Sequence, residues 1–291
     1  MTDSESSGEP GRGRHDFKGV LLPVSFNERM ERLKALARFL RKFGTTRVVL
    51  LHVVSSGLAR SSHVAERMKA VRNEVGSLFE ETEDIIGQGS PALEICRVAR
   101  ERQTRFVAIA WKQKDFLQRT LLGSTTQDVV RLSSLPVFVF KGDVAEKKGD
   151  ELRNILFAVN FDQSHERIME YLRTRELAAT DLYAVHVGER APDPVTEQAR
   201  QEAVFNRLNE LLGECSDWFK TLKPVSLVGN PKRELLKAAR RYEVDVIIMG
   251  KFSHGGAMEQ LVGSTAETVT RKARCSVLIV PRTDIRRGED V

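Results

Sequence analysis

The sequence predicts two α/β domains in tandem, each a doubly wound sandwich around a parallel sheet. Its length of 291 residues is about twice that of an average domain. An ordered set of short motifs occurs twice along the chain. Within each copy, short runs that are apolar on both faces alternate with segments of helical spacing. This is the pattern of a parallel sheet covered by helices on both sides.

The internal repeat sets the domain organisation. The Gly-Ser-Pro of residues 89–91 returns as Gly-Asn-Pro at 229–231, and the Gly-Ser-Thr of residues 123–125 returns unchanged at 263–265, both at an offset of 140. Several blocks in the same order indicate duplication. A polar segment that starts at Lys141 separates the copies. We predict a disordered tail at residues 1–16, a first domain at 17–141 and a linker at 142–153. A second domain follows at 154–283, and a tail at 284–291.

Each half is predicted to run strand, helix, strand, helix, strand, helix, strand, helix, strand. In the second half these nine elements are expected at residues 154–160, 163–176, 181–187, 197–221, 225–228, 231–242, 244–250, 265–273 and 276–281. Pro231 suits the first turn of its helix because the missing N–H has no partner there in any case. Right-handed crossovers then place a ligand crevice at the carboxyl ends of the strands.

Composition and charge narrow the function classes. The net charge of +6 and a pI near 9.3 favour acidic ligands such as nucleotides. The charges are interspersed along helix faces, and aromatic-interleaved basic stretches and zinc-finger spacings are missing from the sequence, so no nucleic-acid partner is expected. The longest apolar runs are far shorter than the ~20 residues that cross a bilayer, and the N-terminus lacks a signal-peptide core. We therefore expect a cytoplasmic protein with no membrane partner.

The cysteines do not predict a metal site. Cys96, Cys215 and Cys275 are far apart in sequence and show no metal-ligand spacing. An odd number of isolated cysteines is typical of reduced thiols in a cytoplasmic protein. We expect all three to be small buried side chains.

A glycine-rich turn in the second half is the strongest candidate site. It leaves a buried strand at Gly250, contains four glycines within fourteen residues, and enters a helix after Gly263. Glycines let the backbone approach a ligand closely and turn its N–H groups inward. The partial positive charge at a helix N-terminus suits phosphate. The turn therefore predicts a phosphate-binding loop.

Together with the Gly-x-Pro turns at 89–91 and 229–231 and the Pro-Val and Ser-Val last strands, this turn resembles the universal stress protein family. The resemblance covers both halves and implies a Rossmann-like, adenine-nucleotide α-hydrolase-like fold. Nucleotide-binding members carry Gly-x2-Gly-x9-Gly-(Ser/Thr), so the implied ligand is ATP, with or without Mg²⁺. The corresponding site residues here are Asn160, Val187, Gly250, Lys251, Ser253, His254, Gly255, Gly256, Gly263, Ser264 and Thr265.

The family's motif is imperfect in both halves. In the second half Ser253 stands at the second glycine position, and Gly255 and Gly256 follow two and three residues later. In the first half the same frame reads Ala110, Gln113 and Gly123. The acidic residue that the family carries after its first strand is Asn160 in the second half and Ser25 in the first. The resemblance therefore implies one site, in the second half, and a degenerate copy in the first.

Several of these residues also have a purely structural interpretation. Ser264-x-x-Glu267 and Ser124-x-x-Gln127 match capping boxes, which would explain the Gly-Ser pairs by helix initiation alone. His52 and His186 end the second strand of each half, where a core or rim role is favoured over catalysis. Lys251 and His254 fit either a ligand contact or a solvated surface equally well.

The sequence is compatible with three functions. The first is a regulatory protein of the stress response, in which a bound adenine nucleotide alters contacts with a protein partner or within a homodimer. The second is a scaffold of the same fold that binds no nucleotide. The third, an enzyme, is disfavoured because the sequence has no Gly-Lys-(Ser/Thr) loop ending and no Gly-x-Ser-x-Gly elbow. Slow incidental ATP hydrolysis is the most activity that we expect.

The resemblance also predicts how the halves meet. Members of the family commonly pair through their last strands, here residues 136–140 and 276–281. Both are short and apolar and would otherwise be open sheet edges. We expect the two halves to form an internal pseudo-dimer about an approximate two-fold axis.

Overall fold

The structure is a computed structural model that describes residues 17–54, 62–111, 123–142, 152–161, 164–173, 177, 180–251 and 262–281. The strands and helices of the first half are β1 (Gly19–Pro23), α1 (Met30–Lys42), β2 (Arg47–Val54), α2 (Ser62–Glu74), β3 (Glu81–Gln88), α3 (Pro91–Glu101), β4 (Phe106–Ala110), α4 (Ser124–Leu132) and β5 (Val137–Phe140). Those of the second half are β6 (Asn154–Val159), α5 (Ser164–Leu172), β7 (Asp181–Gly188), α6 (Pro194–Gly213), β8 (Thr221–Val228), α7 (Pro231–Arg241), β9 (Val246–Gly250), α8 (Ser264–Lys272) and β10 (Ser276–Val280).

The ten strands form one sheet in the order β3-β2-β1-β4-β5-β10-β9-β6-β7-β8. Every pairing within a half is parallel, and the one pairing between halves, β5 with β10, is antiparallel. The predicted α/β class and the doubly wound parallel sheets are therefore confirmed. Because the halves run in opposite directions, the carboxyl ends of their strands lie at opposite edges of the common sheet.

Helices cover both faces of the sheet. One buried cluster packs α1, α2, α5 and α6 on one face, through residues such as Leu36, Met68, Ile168 and Leu208. The other packs α3, α4, α7 and α8 on the opposite face, through Ile95, Val129, Leu235 and Val269. Each cluster contains residues of both halves, so the hydrophobic core is continuous across their junction.

The junction is built on the β5–β10 ladder. Phe138 lies opposite Leu278, flanked by the pairs Val139–Val277 and Val137–Ile279. Residues 138 and 278 are equivalent positions of the repeat, since their numbers differ by 140. The register is therefore centred on a pair of equivalent residues, as an approximate two-fold axis requires, and the expected pairing of the last strands is confirmed.

Two lysines fasten the junction outside the sheet. The Lys141 Nζ donates hydrogen bonds to the carbonyls of Thr270 (2.6 Å), Arg271 (3.3 Å) and Ala273 (3.0 Å), at the carboxyl end of α8. The Lys251 Nζ donates to the carbonyls of Arg131 and Ser133 at the carboxyl end of α4. The last carbonyls of a helix lack partners within the helix and carry partial negative charge, so a lysine there is favourable. Each lysine binds the last helix of the other half.

Several predicted termini differ from the structure. The strand expected at 225–228 begins at Thr221, and the helix expected at 163–176 ends at Leu172. The helix expected at 197–221 ends at Gly213, because β8 begins at Thr221 and pairs with β7 along eight residues. Contacts flank the predicted linker of residues 142–153, at Lys141 just before it and at Arg153, its last residue. The side chain of Lys141 is 7% exposed, and the Arg153 N–H donates to the Asp245 carboxylate at 2.8 Å.

The cysteines are buried, as expected. Cys96, Cys215 and Cys275 are all free thiols in the interior. Burial raises the pKa of the Cys96 thiol, and it raises that of Cys215 to about 12. A thiol with a raised pKa carries little thiolate at neutral pH, so these side chains serve packing.

Lys141 predicts a pH dependence of stability. Burial lowers the pKa of Lys141 to about 8 in the folded protein, against 10.5 for an ordinary lysine. Between these values the unfolded chain binds more protons than the folded one, so the contribution of Lys141 to the free energy of unfolding rises with pH. At 1.36 kcal/mol per pKa unit, the rise from pH 8 to 10.5 is on the order of 3 kcal/mol.

The measurement is urea unfolding of the wild type and of Lys141→Met at a series of pH values. The stability of the wild type relative to the variant should increase over this range, because Lys251 and the other titrating groups are common to both proteins. A difference that is flat or that falls with pH would contradict the assignment.

Candidate functional site

The strand order creates a crevice in the second half between β6 and β9. These neighbouring strands lead to connections on opposite sides, to β7 and to β10, which makes this the topological switch point. Asn160 follows the end of β6, and Gly250 is the last residue of β9, in register two positions beyond the Ile248–Phe157 pair. Ligands of open α/β sheets bind at such a switch point, outside the carboxyl ends of the strands.

The N-terminus of α8 opens at the same edge of the sheet, because the helix runs back from the carboxyl end of β9 to the amino end of β10. Gly263 is its N-cap residue, with extended backbone, and no side chain of the described residues accepts a hydrogen bond at this cap. Ser264 is exposed and Thr265 is half-buried. The first turn thus presents backbone N–H groups and two hydroxyls without a side-chain cap, an arrangement suited to an anion.

The expected capping boxes are wrong. The N-cap residues are Gly263 and Gly123, not Ser264 and Ser124, and among the described residues neither helix has a side-chain cap hydrogen bond. The serines are instead the first residues of their helices. The capping explanation for the Gly-Ser pairs therefore loses its structural basis, which leaves the Ser264 hydroxyl uncommitted to helix initiation.

Asn160 and Val187 lie at the rim of this crevice. Asn160 is exposed, directly after β6. Val187, near the end of β7, is half-buried against the face covered by α7 and α8. An amide side chain at this point can both donate and accept hydrogen bonds. The two residues thus place one polar and one apolar side chain beside the switch point.

His186 occupies the opposite face of β7 as a rim residue. Its Nδ1 lies 3.0 Å from the Val159 carbonyl, which can only accept, so Nδ1 carries the hydrogen and Nε2 carries the lone pair. Burial lowers the pKa of His186, and the charges of Arg200 and Arg207 lower it further, against the hydrogen bond to Val159. The ring is neutral at pH 7 and has no nucleophile beside it to activate among the contacts described.

His186 is part of a Phe–His–Arg cluster, and the first half has an equivalent cluster. In the second half the Phe161 and His186 ring centroids are 4.9 Å apart and the Arg207 guanidinium lies 4.3 Å from the Phe161 centroid. In the first half the Phe26 and His52 rings stack at 3.7 Å beneath Arg67, which also donates to the Phe26 carbonyl. The two rings are stacked in the first half and tilted by 39° in the second, so the first-half cluster is the more closely packed.

Lys251 does not reach into the crevice. Its N–H donates to the Val280 carbonyl at 2.8 Å, and its amino group is held by α4 of the first half. Burial lowers the pKa of Lys251 to about 8. From the sequence, Lys251 fits either a ligand contact or a solvated surface. Instead its side chain binds the carboxyl end of α4, which the antiparallel junction brings to this strand end.

The first-half crevice differs at the equivalent positions. Ala110 and Trp111 are buried, and the Lys141 ammonium lies 3.9 Å from the centroid of the Trp111 ring. A bulky indole thus occupies the strand end at which the second half has Lys251. Ser25 stands where Asn160 stands in the second half.

Four predicted site residues, Ser253, His254, Gly255 and Gly256, lie outside the described residues. Within the described part of the chain, no group of three or more His, Cys, Asp or Glu could hold a metal ion, and no helix is long and apolar enough to cross a membrane. A groove of about 1210 Å³ runs along the edge strand β8 beside α6. None of the predicted site residues lines it, so the groove is separate from the crevice.

We did not identify from the sequence the residues that pack around the two crevices, namely Lys141 and the Phe–His–Arg clusters. Lys141 begins a polar stretch of sequence, and nothing in its local sequence distinguishes it from Lys147 and Lys148, which follow it. The Phe–His–Arg clusters could have been found, because Phe26 and Phe161 follow the first strand of each half and Arg67 and Arg207 are separated by the repeat offset of 140.

Comparison with known proteins agrees with this architecture. The sequence model of the universal stress protein family matches the chain twice, at residues 16–141 and 151–281. A universal stress protein of Methanocaldococcus jannaschii is 27% identical over 122 residues, which are 40% of this chain and 75% of that protein. One from Mycobacterium tuberculosis is 24% identical over 236 residues, 74% of this chain and 75% of its own length.

A solved structure shares the fold over nearly the whole chain. The crystal structure of a universal stress protein from Archaeoglobus fulgidus superposes with a TM-score of 0.68 at 21% sequence identity, covering 94% of this chain and 99% of that one. The two family matches together span most of the 291 residues. The chain therefore belongs to the universal stress protein family, which it matches once in each half.

Proposed function

We propose that the second half binds ATP or a related adenine nucleotide in the crevice between β6 and β9, and that the protein acts as a regulator and not as an enzyme. The observation that carries the proposal is the start of α8. A glycine N-cap, free of any described side-chain cap, opens a helix at the switch point of a parallel sheet. Family membership supports the same ligand class.

The phosphates are assigned to the N-terminus of α8. The N–H groups of its first turn and the hydroxyls of Ser264 and Thr265 are the donors, and the helix dipole adds partial positive charge. Gly263 permits close approach because it has no Cβ. Ser253, His254, Gly255 and Gly256 are proposed to complete the loop.

The base and ribose are assigned to the strand ends. Asn160 offers an amide to a base or ribose edge, and Val187 offers an apolar contact. Lys251 is left out of the proposed site because its amino group is bonded to α4. The described residues offer no acidic cluster for a metal, so any Mg²⁺ would be held chiefly by the phosphates themselves.

The first half is proposed to bind no nucleotide. Its crevice has Ser25 in place of Asn160, and a buried Trp111 at the end of β4. The Arg67–Phe26–His52 stack at its rim is closed by the hydrogen bond from Arg67 to the Phe26 carbonyl. One nucleotide per chain is therefore proposed, in the second half.

The proposed consequence of binding is regulatory. Occupancy of one half of a rigidly joined pair would alter the surface offered to a protein partner or to a second copy of the chain. The alternative, a scaffold that binds no nucleotide, is favoured by the departure at Ser253. The response of the wild-type melting temperature to ATP separates the two functions.

Gly263→Val should abolish ATP binding. The backbone at Gly263 (φ −60°, ψ 141°) is accessible to valine, so folding should survive while the branched side chain blocks the approach to the helix N–H groups. Gly123→Val is the matched control, since Gly123 has nearly the same backbone angles and an added Cβ there meets nothing within 4 Å.

The measurement is the melting temperature with and without millimolar ATP. A ligand at 100 times its Kd stabilises the folded state by about 2.7 kcal/mol, which is a rise of several degrees for domains of this size. The wild type and Gly123→Val should show this rise, and Gly263→Val should not. No rise in the wild type, with no nucleotide carried through purification, would favour the scaffold.

Ser264→Ala should weaken ATP binding with little change in stability. One hydrogen bond contributes about 0.5–1.5 kcal/mol, so the Kd should rise by a factor of about 2 to 12. Because Ser264 is exposed and makes no cap hydrogen bond, the melting temperature without ATP should stay close to that of the wild type. Calorimetry and a thermal melt on the same preparation separate the two effects. A large loss of stability without ATP would show that the hydroxyl serves the helix after all.

A further inference from the structure

The last helix of each half runs from its own crevice to a lysine of the other half. Helix α8 begins at Gly263 beside the second crevice, and its carboxyl-terminal carbonyls accept three hydrogen bonds from Lys141 of the first half, at 2.6, 3.0 and 3.3 Å. The helix is only nine residues long. A contact that fixes its carboxyl end therefore also fixes the orientation of the N–H groups at its start.

Lys141 is in turn seated at the rim of the first crevice. Its ammonium lies 3.9 Å from the centroid of the Trp111 ring, within the range of a cation–π interaction. Trp111 is the residue after β4, and its backbone N–H donates to the Phe140 carbonyl at 2.8 Å. A continuous chain of contacts thus leads from the start of α8, through Lys141, to the other half's crevice.

The reverse connection exists as well. Helix α4 begins at the first crevice, and its last carbonyls accept hydrogen bonds from Lys251, the residue after β9 at the rim of the second. The two lysines are not equivalent in the repeat: Lys251 corresponds to Trp111, and Lys141 corresponds to Pro281. Duplication alone does not explain two such contacts at different positions.

We propose that Lys141 is a positioning residue of the nucleotide site in the second half, supplied by the first half, and that it passes the occupancy of that site to Trp111. This inference rests on the proposed function. An anion at the start of α8 and the Lys141 ammonium at its end interact favourably with the same helix dipole. Holding the helix in place before the ligand arrives reduces the ordering that binding requires.

Linkage makes the effect reciprocal. If the Lys141 contact strengthens nucleotide binding by some factor, the bound nucleotide strengthens the Lys141 contact by the same factor. Because Lys141 stacks on Trp111, a change in that contact alters the surroundings of the indole. Trp111 therefore reports from the first half on a ligand bound in the second.

The experiment uses the full chain with Trp218→Phe, which leaves Trp111 as the single tryptophan of the two in the sequence. ATP is titrated by calorimetry and by tryptophan emission in this background, and again with Lys141→Met added. Lys141→Met should raise the Kd for ATP about fivefold, at the low end of couplings between sites, and should abolish the response of Trp111 emission to ATP. Lys141→Arg, which keeps the cation, should restore the response.

Lys272→Met is the matched control, because Lys272 is exposed on the last turn of the same helix and carries the same charge without the contact. It should leave the Trp111 response intact. If Lys141→Met does not fold, as judged by its melting curve, Lys141→Gln takes its place, with the same expectations.

The outcomes separate the two proposals. The role of Lys141 is overturned if ATP binds with heat but does not change Trp111 emission. It is also overturned if the emission response and the Kd for ATP are unchanged by Lys141→Met. In either case the nucleotide site itself stands. No heat in the Trp218→Phe protein and none in the wild type overturns the proposed function, and the role of Lys141 falls with it.

Discussion

The antiparallel pairing of β5 with β10 is the constraint on which the rest of the structure depends. Each half alone would end in a short apolar strand with an open edge, which invites aggregation. Pairing the two edges removes both and merges ten strands into one sheet. The pairing is centred on Phe138 and Leu278, equivalent residues of the repeat, so it also imposes an approximate two-fold relation on everything attached to the strands.

That relation explains where the crevices and lysines lie. Because the halves run in opposite directions, the carboxyl end of each half's last helix is brought to the strand ends of the other half. Lys141, which is buried, and Lys251, which is half-buried, donate at these two places to helix carbonyls that would otherwise lack partners. The same geometry removes Lys251 from the proposed nucleotide site and makes Trp111, at the equivalent strand end, part of the junction.

The fold could be predicted from the sequence because the duplicated blocks, the apolar strand runs and the turn glycines all indicate one architecture. Errors arose where tertiary contacts override local pattern. The helix expected to reach residue 221 ends at Gly213, and the chain passes through hydrogen-bonded turns before Thr221 pairs with Asp181 at the start of β8. Ser264 matches a capping box in sequence, but the backbone makes Gly263 the N-cap residue. Lys141 lies at the predicted end of the first domain, in a polar stretch, and it is buried because the second half packs against it.

The central claim is that one of two similar halves has kept a nucleotide site. The most direct measurement is the stoichiometry of ATP binding to the full chain by isothermal titration calorimetry. We expect one ATP per chain. Both α4 and α8 begin at a glycine without a described side-chain cap, but only α8 lies beside Asn160, whereas α4 lies beside Ser25 and the buried Trp111. Two per chain would show that Trp111 and Ser25 do not close the first crevice, and none would contradict the assignment of a nucleotide site altogether.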